Sequence, residues 1–140
     1  MIRPSACGCG ALIAAGLVLG AGCDIVRGPS PLNDAPVIRR LGEYVFVSGN
    51  DEIMTTRAFV DLTAEQRREW DLEVVEPEGE RLTVTVGPLP RGWSYDEGRK
   101  LLVAEPDHRQ RDLLFVVYIV AEDAHHPPAY DVRVLEFNVQ

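Results

Sequence analysis

The chain has 140 residues, of which 22 are acidic against 14 lysines and arginines, for a formal net charge of −8. An acidic chain repels nucleic acid and anionic headgroups, and no basic patch with interleaved aromatics offsets this, so nucleic acid is excluded as a partner class. All three cysteines lie in the first 23 residues. The rest of the chain therefore has no disulfide, and packing alone must stabilise it.

Residues 1–22 carry one charged side chain, Arg3, then the apolar run Ala11–Ala21 and the small pair Ala21-Gly22. A charged start, an apolar stretch of roughly 7–15 residues and a small-residue cleavage site make a secretory signal. The run is too short for a membrane span, which needs about 20 apolar residues. Its last residues, Leu19-Gly20-Ala21-Gly22-Cys23, resemble a lipobox, with the aliphatic residue four places before the cysteine where three is usual. The resemblance implies a bacterial lipoprotein precursor, with Cys23 as the lipidation site and a covalent lipid (such as palmitate) as its only fixed attachment. The alternative is an ordinary signal peptide cut after Ala21 or Gly22, which leaves a free thiol. Each buried methylene contributes about 0.8 kcal/mol, so two or more acyl chains anchor firmly where one does not. The expected location is the bacterial cell envelope. Asp24 resembles an inner-membrane retention signal of enteric bacteria, and the leaflet stays open. The charge after processing is −9, because only Arg3 is lost.

Residues 23–35 hold two prolines, a glycine and no periodic pattern. They read as a flexible tether spanning about 20 Å root-mean-square. From Pro36 to Gln140 the signal is β. Val37-Ile38 and Tyr44–Val47 flank a Gly42 turn, and Ile53–Leu62 is a weaker run broken by Arg57. Trp70, Leu72 and Val74 alternate with acids, and Leu82, Val84 and Val86 with threonines, as half-buried strands do. Glu76–Glu80 between them is a tight hairpin loop. Leu101–Ala104 is a short strand, and Leu113–Val120 is apolar throughout, which predicts a central strand covered on both faces. Val132–Val139 closes the chain with Leu135, Phe137 and Val139 on one face. Only Thr63–Glu69 reads as helix, with Thr63 and Gln66 in a capping-box pattern. Short strands punctuated by Pro and Gly predict an all-β, antiparallel sandwich of about seven or eight strands.

The order EPEGE (76–80), LTVTV (82–86), LPRGWSYDEGRKLLV (89–103), EPDHRQRDLLFVVYIVAED (105–123) and DVRVLEFNV (131–139) resembles the cadherin-like domains of the dystroglycan and bacterial Ig type. Asn33-Asp34-Ala35-Pro36 is similar to their entry segment. The resemblance covers residues 69–140 well and 33–47 loosely. Residues 48–68 do not match and read as an insertion or a lengthened first hairpin. The implied fold is an Ig-like or cadherin-like sandwich. Trp93 and Tyr95 then each bury a ring, and Asp96-Glu97-Gly98 turns the chain back.

The same resemblance implies calcium, held by Asp34, Glu76, Glu78, Glu80, Asp107 and Asp123. Ca²⁺ takes roughly 6–8 hard oxygen ligands. Here, however, glutamate stands where the family's loop has aspartate, and a junction site needs a second domain. The simpler reading is a solvated hairpin loop. His125 and His126 are adjacent and point opposite ways on an extended loop, so a shared metal is disfavoured. No Gly-x-Ser-x-Gly elbow, phosphate loop or HExxH accompanies Ser48 or Ser94, which points away from an enzyme. Trp70, Trp93, Tyr95, Tyr118 and Phe137 read as core, although aromatics exposed on one sheet would favour sugar binding. The expected role is a lipid-anchored envelope protein with a non-catalytic interaction or structural domain, probing another envelope protein through an edge or a loop face. A carbohydrate-binding module and a calcium-dependent adhesive module are the alternatives. Oligomeric state is not legible.

Overall fold

The structure, a computed structural model, describes residues 33–49 and 54–140. Cys23, the leader and most of the tether lie outside the described residues. Nine strands follow in order: β1 Val37–Leu41, β2 Tyr44–Val45, β3 Arg57–Leu62, β4 Arg68–Val75, β5 Leu82–Gly87, β6 Ser94–Asp96, β7 Leu101–Ala104, β8 Leu114–Asp123 and β9 Tyr130–Val139. A single turn of 3-10 helix, His108–Gln110, precedes β8. The strands form a four-stranded sheet, β3-β9-β8-β5, and a five-stranded sheet, β2-β1-β4-β7-β6. Without the two-residue β2 and the edge strand β3, chain positions 1-2-5-4 form one sheet and 7-6-3 the other. That is the strand order of an Ig constant-type sandwich.

The fold is the all-β, mostly antiparallel sandwich expected from the sequence, and two expectations are corrected. First, Thr63–Glu69 is not a helix. Its amides bond at long range, Ala64 N–H to the Gln140 carbonyl at 2.8 Å and Glu65 N–H to the Pro106 carbonyl at 2.6 Å, with Glu65 at φ +64°. A segment of at most two turns gains little against the cost of helix nucleation, and here Ala64 is buried in the core. The strand β4 begins at Arg68.

The pairing is antiparallel as expected except at one border, where β3 runs parallel to β9, from Arg57 opposite Val134 to Leu62 opposite Val139. β3 lies in the unmatched stretch 48–68 and is an edge strand added to the seven-strand order. Alternation has the same period in either direction, so it carries no signal for which occurs. Second, β8 is central but covered on one face only. Val117, Ile119 and Ala121 are fully buried, while Leu114, Val116 and Tyr118 face solvent.

The core lies between the sheets and is built on aromatic rings. Trp70 of β4 packs on Phe137 of β9 with centroids 5.7 Å apart. Trp93 meets Phe137 edge-on at 4.9 Å and Phe115 of β8 at 5.7 Å. These contacts tie the sheets together in a domain with no cysteine to do so. The Trp93 indole N–H donates to Gln110 Oε1 at 3.3 Å, and Gln110 Nε2 donates to the Arg91 carbonyl at 3.1 Å. Tyr95 is only half-buried, so of the expected pair of rings Trp93 alone is fully sequestered.

At the β1 end a second clasp crosses the sheets. Asp131 Oδ2 accepts the Ile38 N–H at 2.7 Å, and its Oδ1 lies 2.6 Å from Arg133 Nη1. Arg133 is 4 % exposed, so the carboxylate supplies the charge partner that a buried guanidinium requires.

Candidate interaction surface

In β8 and β9 the odd-numbered residues point into the sandwich and the even-numbered ones point out, because side chains alternate with a period of two. The outward residues of β8 are Leu114, Val116, Tyr118, Val120 and Glu122. Their partners on β9 are Asn138, Glu136, Val134, Val132 and Tyr130. On β3, Phe59 stands opposite Glu136. The result is an apolar tract along the middle of the four-stranded sheet, with Phe59 69 %, Leu114 60 % and Tyr118 45 % exposed. Val116, Tyr130 and Val132 are likewise open to solvent. The tract's edges are polar. Arg57 Nη1 lies 2.7 Å from Glu136 Oε2, Asn138 donates to Asp61 at 2.9 Å, and Thr83 and Thr85 flank the other side on β5.

The outer face of the other sheet is different. Along β4 its exposed positions are Glu69, Asp71, Glu73 and, at the strand's end, Val75, and Arg40 of β1 pairs with Glu73 at 2.9 Å. A half-buried antiparallel sheet ordinarily turns polar residues outward. The five-stranded sheet obeys that pattern and the four-stranded sheet does not. Tyr118, read from the sequence as core, belongs to the exceptional face. The signal that could have located this face is the tyrosine and Glu122 at even positions of an otherwise apolar run.

The edge of β5 is guarded. The Val84 N–H donates to Glu97 Oε2 at 3.0 Å, so a side chain takes an amide that another strand would otherwise use.

The carboxylates expected to hold calcium are placed as follows. Glu76 Oε2 accepts the amides of Glu78 at 2.9 Å and Glu80 at 2.8 Å, closing the hairpin loop, and Gly79 takes φ +74°. Glu78 accepts the Asp34 N–H, and Glu80 lies 3.3 Å from His125 Nδ1. Asp123 is buried, and its Oδ1 accepts the amides of His125 and Ala129 at 3.1 and 3.0 Å. Asp107 caps the 3-10 helix through the Arg109 amide at 2.8 Å. Glu76, Glu78, Asp107 and Asp123 thus accept backbone amides and Glu80 faces a histidine, and among the described residues no three of His, Cys, Asp or Glu converge as a metal-holding group. An open groove of about 370 Å³ is lined by Glu65, Arg67, Glu105, Pro106 and Asp107, where Arg67 pairs with Glu105 and with Glu69. His108 and His126 are exposed. Among the described residues no helix is long and apolar enough to cross a membrane.

No family model matches the chain, and no curated protein matches it. Solved structures do resemble it. One is a nucleoside hydrolase-related protein from Saccharophagus degradans associated with carbohydrate metabolism, at 16% identity and TM-score 0.56 over 77% of this chain and 26% of that one. Another is an endo-fucoidan hydrolase of glycoside hydrolase family 107, at 13% identity and TM-score 0.54 over 90% of this chain and 16% of that one. The tandem Ig repeats of Dlar match at 11% identity and TM-score 0.45, over 90% of this chain and 55% of that one. The chain thus spans about a quarter and a sixth of the first two proteins. At such identities the likeness to the first two is one of fold alone.

Proposed function

We propose that this chain is a lipid-anchored cell-envelope protein whose sandwich acts without catalysis, as an interaction module contacting a protein partner through the outer face of the β3-β9-β8-β5 sheet. One observation carries the reading: the apolar tract of Leu114, Val116, Tyr118 and Val132 faces solvent while the opposite sheet is charged. Contiguous exposed apolar surface with a polar rim is the mark of a contact site. The anchor rests on the leader and Cys23. The expected contact thereby moves from a strand edge or loop to a sheet face, consistent with the Glu97 guard on β5.

Carbohydrate binding is the second reading. It is favoured by Phe59, Tyr118 and Tyr130 standing exposed on one sheet face, since aromatic rings stack on sugar faces. Two proteins of similar fold have carbohydrate-related descriptions, which concern those proteins.

The test uses the full chain in its own membrane. Cys23→Ala should move the protein from the membrane to the soluble fraction, and equal solubility of both forms rejects the anchor. A photo-crosslinking residue at Val116 should capture a protein, and the same residue at Asp71 should not. If Val116 captures none and Tyr118→Ala abolishes retention on an immobilised polysaccharide, the sugar reading replaces the first.

A further inference from the structure

We infer that the occupant of this face is the same face of a second copy of the chain, giving a two-fold dimer. The inference rests on the proposed role of the face as a contact surface and names its partner. The first argument is area. The six most exposed apolar residues of the tract, with those fractional exposures, present roughly 600 Å², at the top of the ~300–600 Å² a typical monomer leaves open and approaching the ~800 Å² per partner of a standard interface.

The second argument is charge. The chain carries −8, so two copies repel in most orientations. Two acids stand in the tract: Glu136, between Val116 and Phe59, is matched by Arg57, and Glu122 lies at one end opposite Tyr130. Packing the two four-stranded sheets together puts both acidic faces, with Glu69, Asp71 and Glu73, on the outside. At about 10 Å per layer they lie about 30 Å apart, beyond the ~8 Å screening length of physiological salt. Docking through the five-stranded sheet would instead press those acids together.

The third argument is shape. Valines at alternate positions of neighbouring strands, such as Val116, Val120, Val132 and Val134, make ridges of the kind that interdigitate when sheets stack in alignment. A two-fold contact needs only that one patch fit itself.

The test is disulfide trapping of the full chain in its native membrane. Val116→Cys should give a covalent dimer on mild oxidation, absent from the parent chain and from Asp71→Cys on the opposite sheet. Sedimentation of the full chain in mild detergent should show a dimer that survives or tightens with added salt and is lost in Tyr118→Glu. All three substituted residues are exposed, and unchanged thermal midpoints certify the fold. A dimer that dissolves with salt and ignores Tyr118→Glu overturns the inference. Failure of Val116→Cys to trap a dimer, while a photo-crosslinker there captures a different protein, overturns the second copy and leaves the contact face standing. Failure of both removes the contact face as well.

Discussion

The carboxylate of Asp131 holds the amide of Ile38 at 2.7 Å and thereby fastens β9 of one sheet to β1 of the other. The same carboxylate sits 2.6 Å from the guanidinium of Arg133, which is buried. Removing one member of a buried pair leaves an uncompensated charge and costs about 3–5 kcal/mol. Asp131→Ala should therefore lower stability by that order. Asp131→Asn, which keeps an acceptor for Ile38, should cost less. Urea unfolding midpoints at constant slope measure both. Equal midpoints for wild type and Asp131→Ala would show the clasp to be idle.

Trp93 should be the costliest single truncation in the core. It touches Phe137 and Phe115 and bonds Gln110, and large-to-small changes at aromatic sites cost about 3–5 kcal/mol. Gln110→Ala should cost about 1–3 kcal/mol, because it strands the indole N–H in an apolar site. A double-mutant cycle should show the two effects to be coupled, since the residues share a bond.

Two glycines separate backbone strain from collision. Gly42 has φ +55°, and a Cβ there would stand 2.7 Å from Cδ1 of Trp70. Gly79 has φ +74° and open space around it. Gly79→Ala should cost only the conformational penalty, about 1 kcal/mol. Gly42→Ala should cost about 1–3 kcal/mol more, because Trp70 must shift in a packed core. Thermal midpoints of the two variants decide it, and equal losses would reject the collision.

The Tyr95 hydroxyl is buried without a hydrogen-bond partner. Burial first, then the neighbouring charges of Glu97 and Asp96, push its pKa up to about 12 from 10.0. The folded state therefore holds this proton more tightly than the unfolded chain. The associated stability is complete below pH 10 and declines as pH rises toward 12. Tyr95→Phe should flatten that decline, and should be neutral or mildly stabilising at neutral pH because it deletes an unsatisfied polar atom. Burial also raises the pKa of Tyr44, so phenolate absorbance should show one fewer late-ionising tyrosine in the variant than in the wild type.

Much of the sandwich was readable from residue pattern. Alternation at Trp70–Val74, Leu82–Val86 and Leu135–Val139 placed β4, β5 and β9 with the correct face inward. The direction of β3 was not readable, since pairing with β9 depends on where the chain crosses between sheets. Thr63–Glu69 misled because helix propensity is local, while the amides of Ala64 and Glu65 are claimed by Gln140 and Pro106 from far along the chain. The contact face was hidden for a different reason. An unbroken apolar run looks the same whether a second layer covers it within the domain or is left for a partner to supply. Only the three-dimensional register, which leaves Val116 and Tyr118 uncovered by any of the described residues, tells the two apart.

Glu97 lends its carboxylate to the Val84 amide at the border of the smaller sheet. An intruding chain could not lengthen that sheet there without first dislodging this side chain. Copies crowded at high density would thus be hindered from runaway fibre growth along this border.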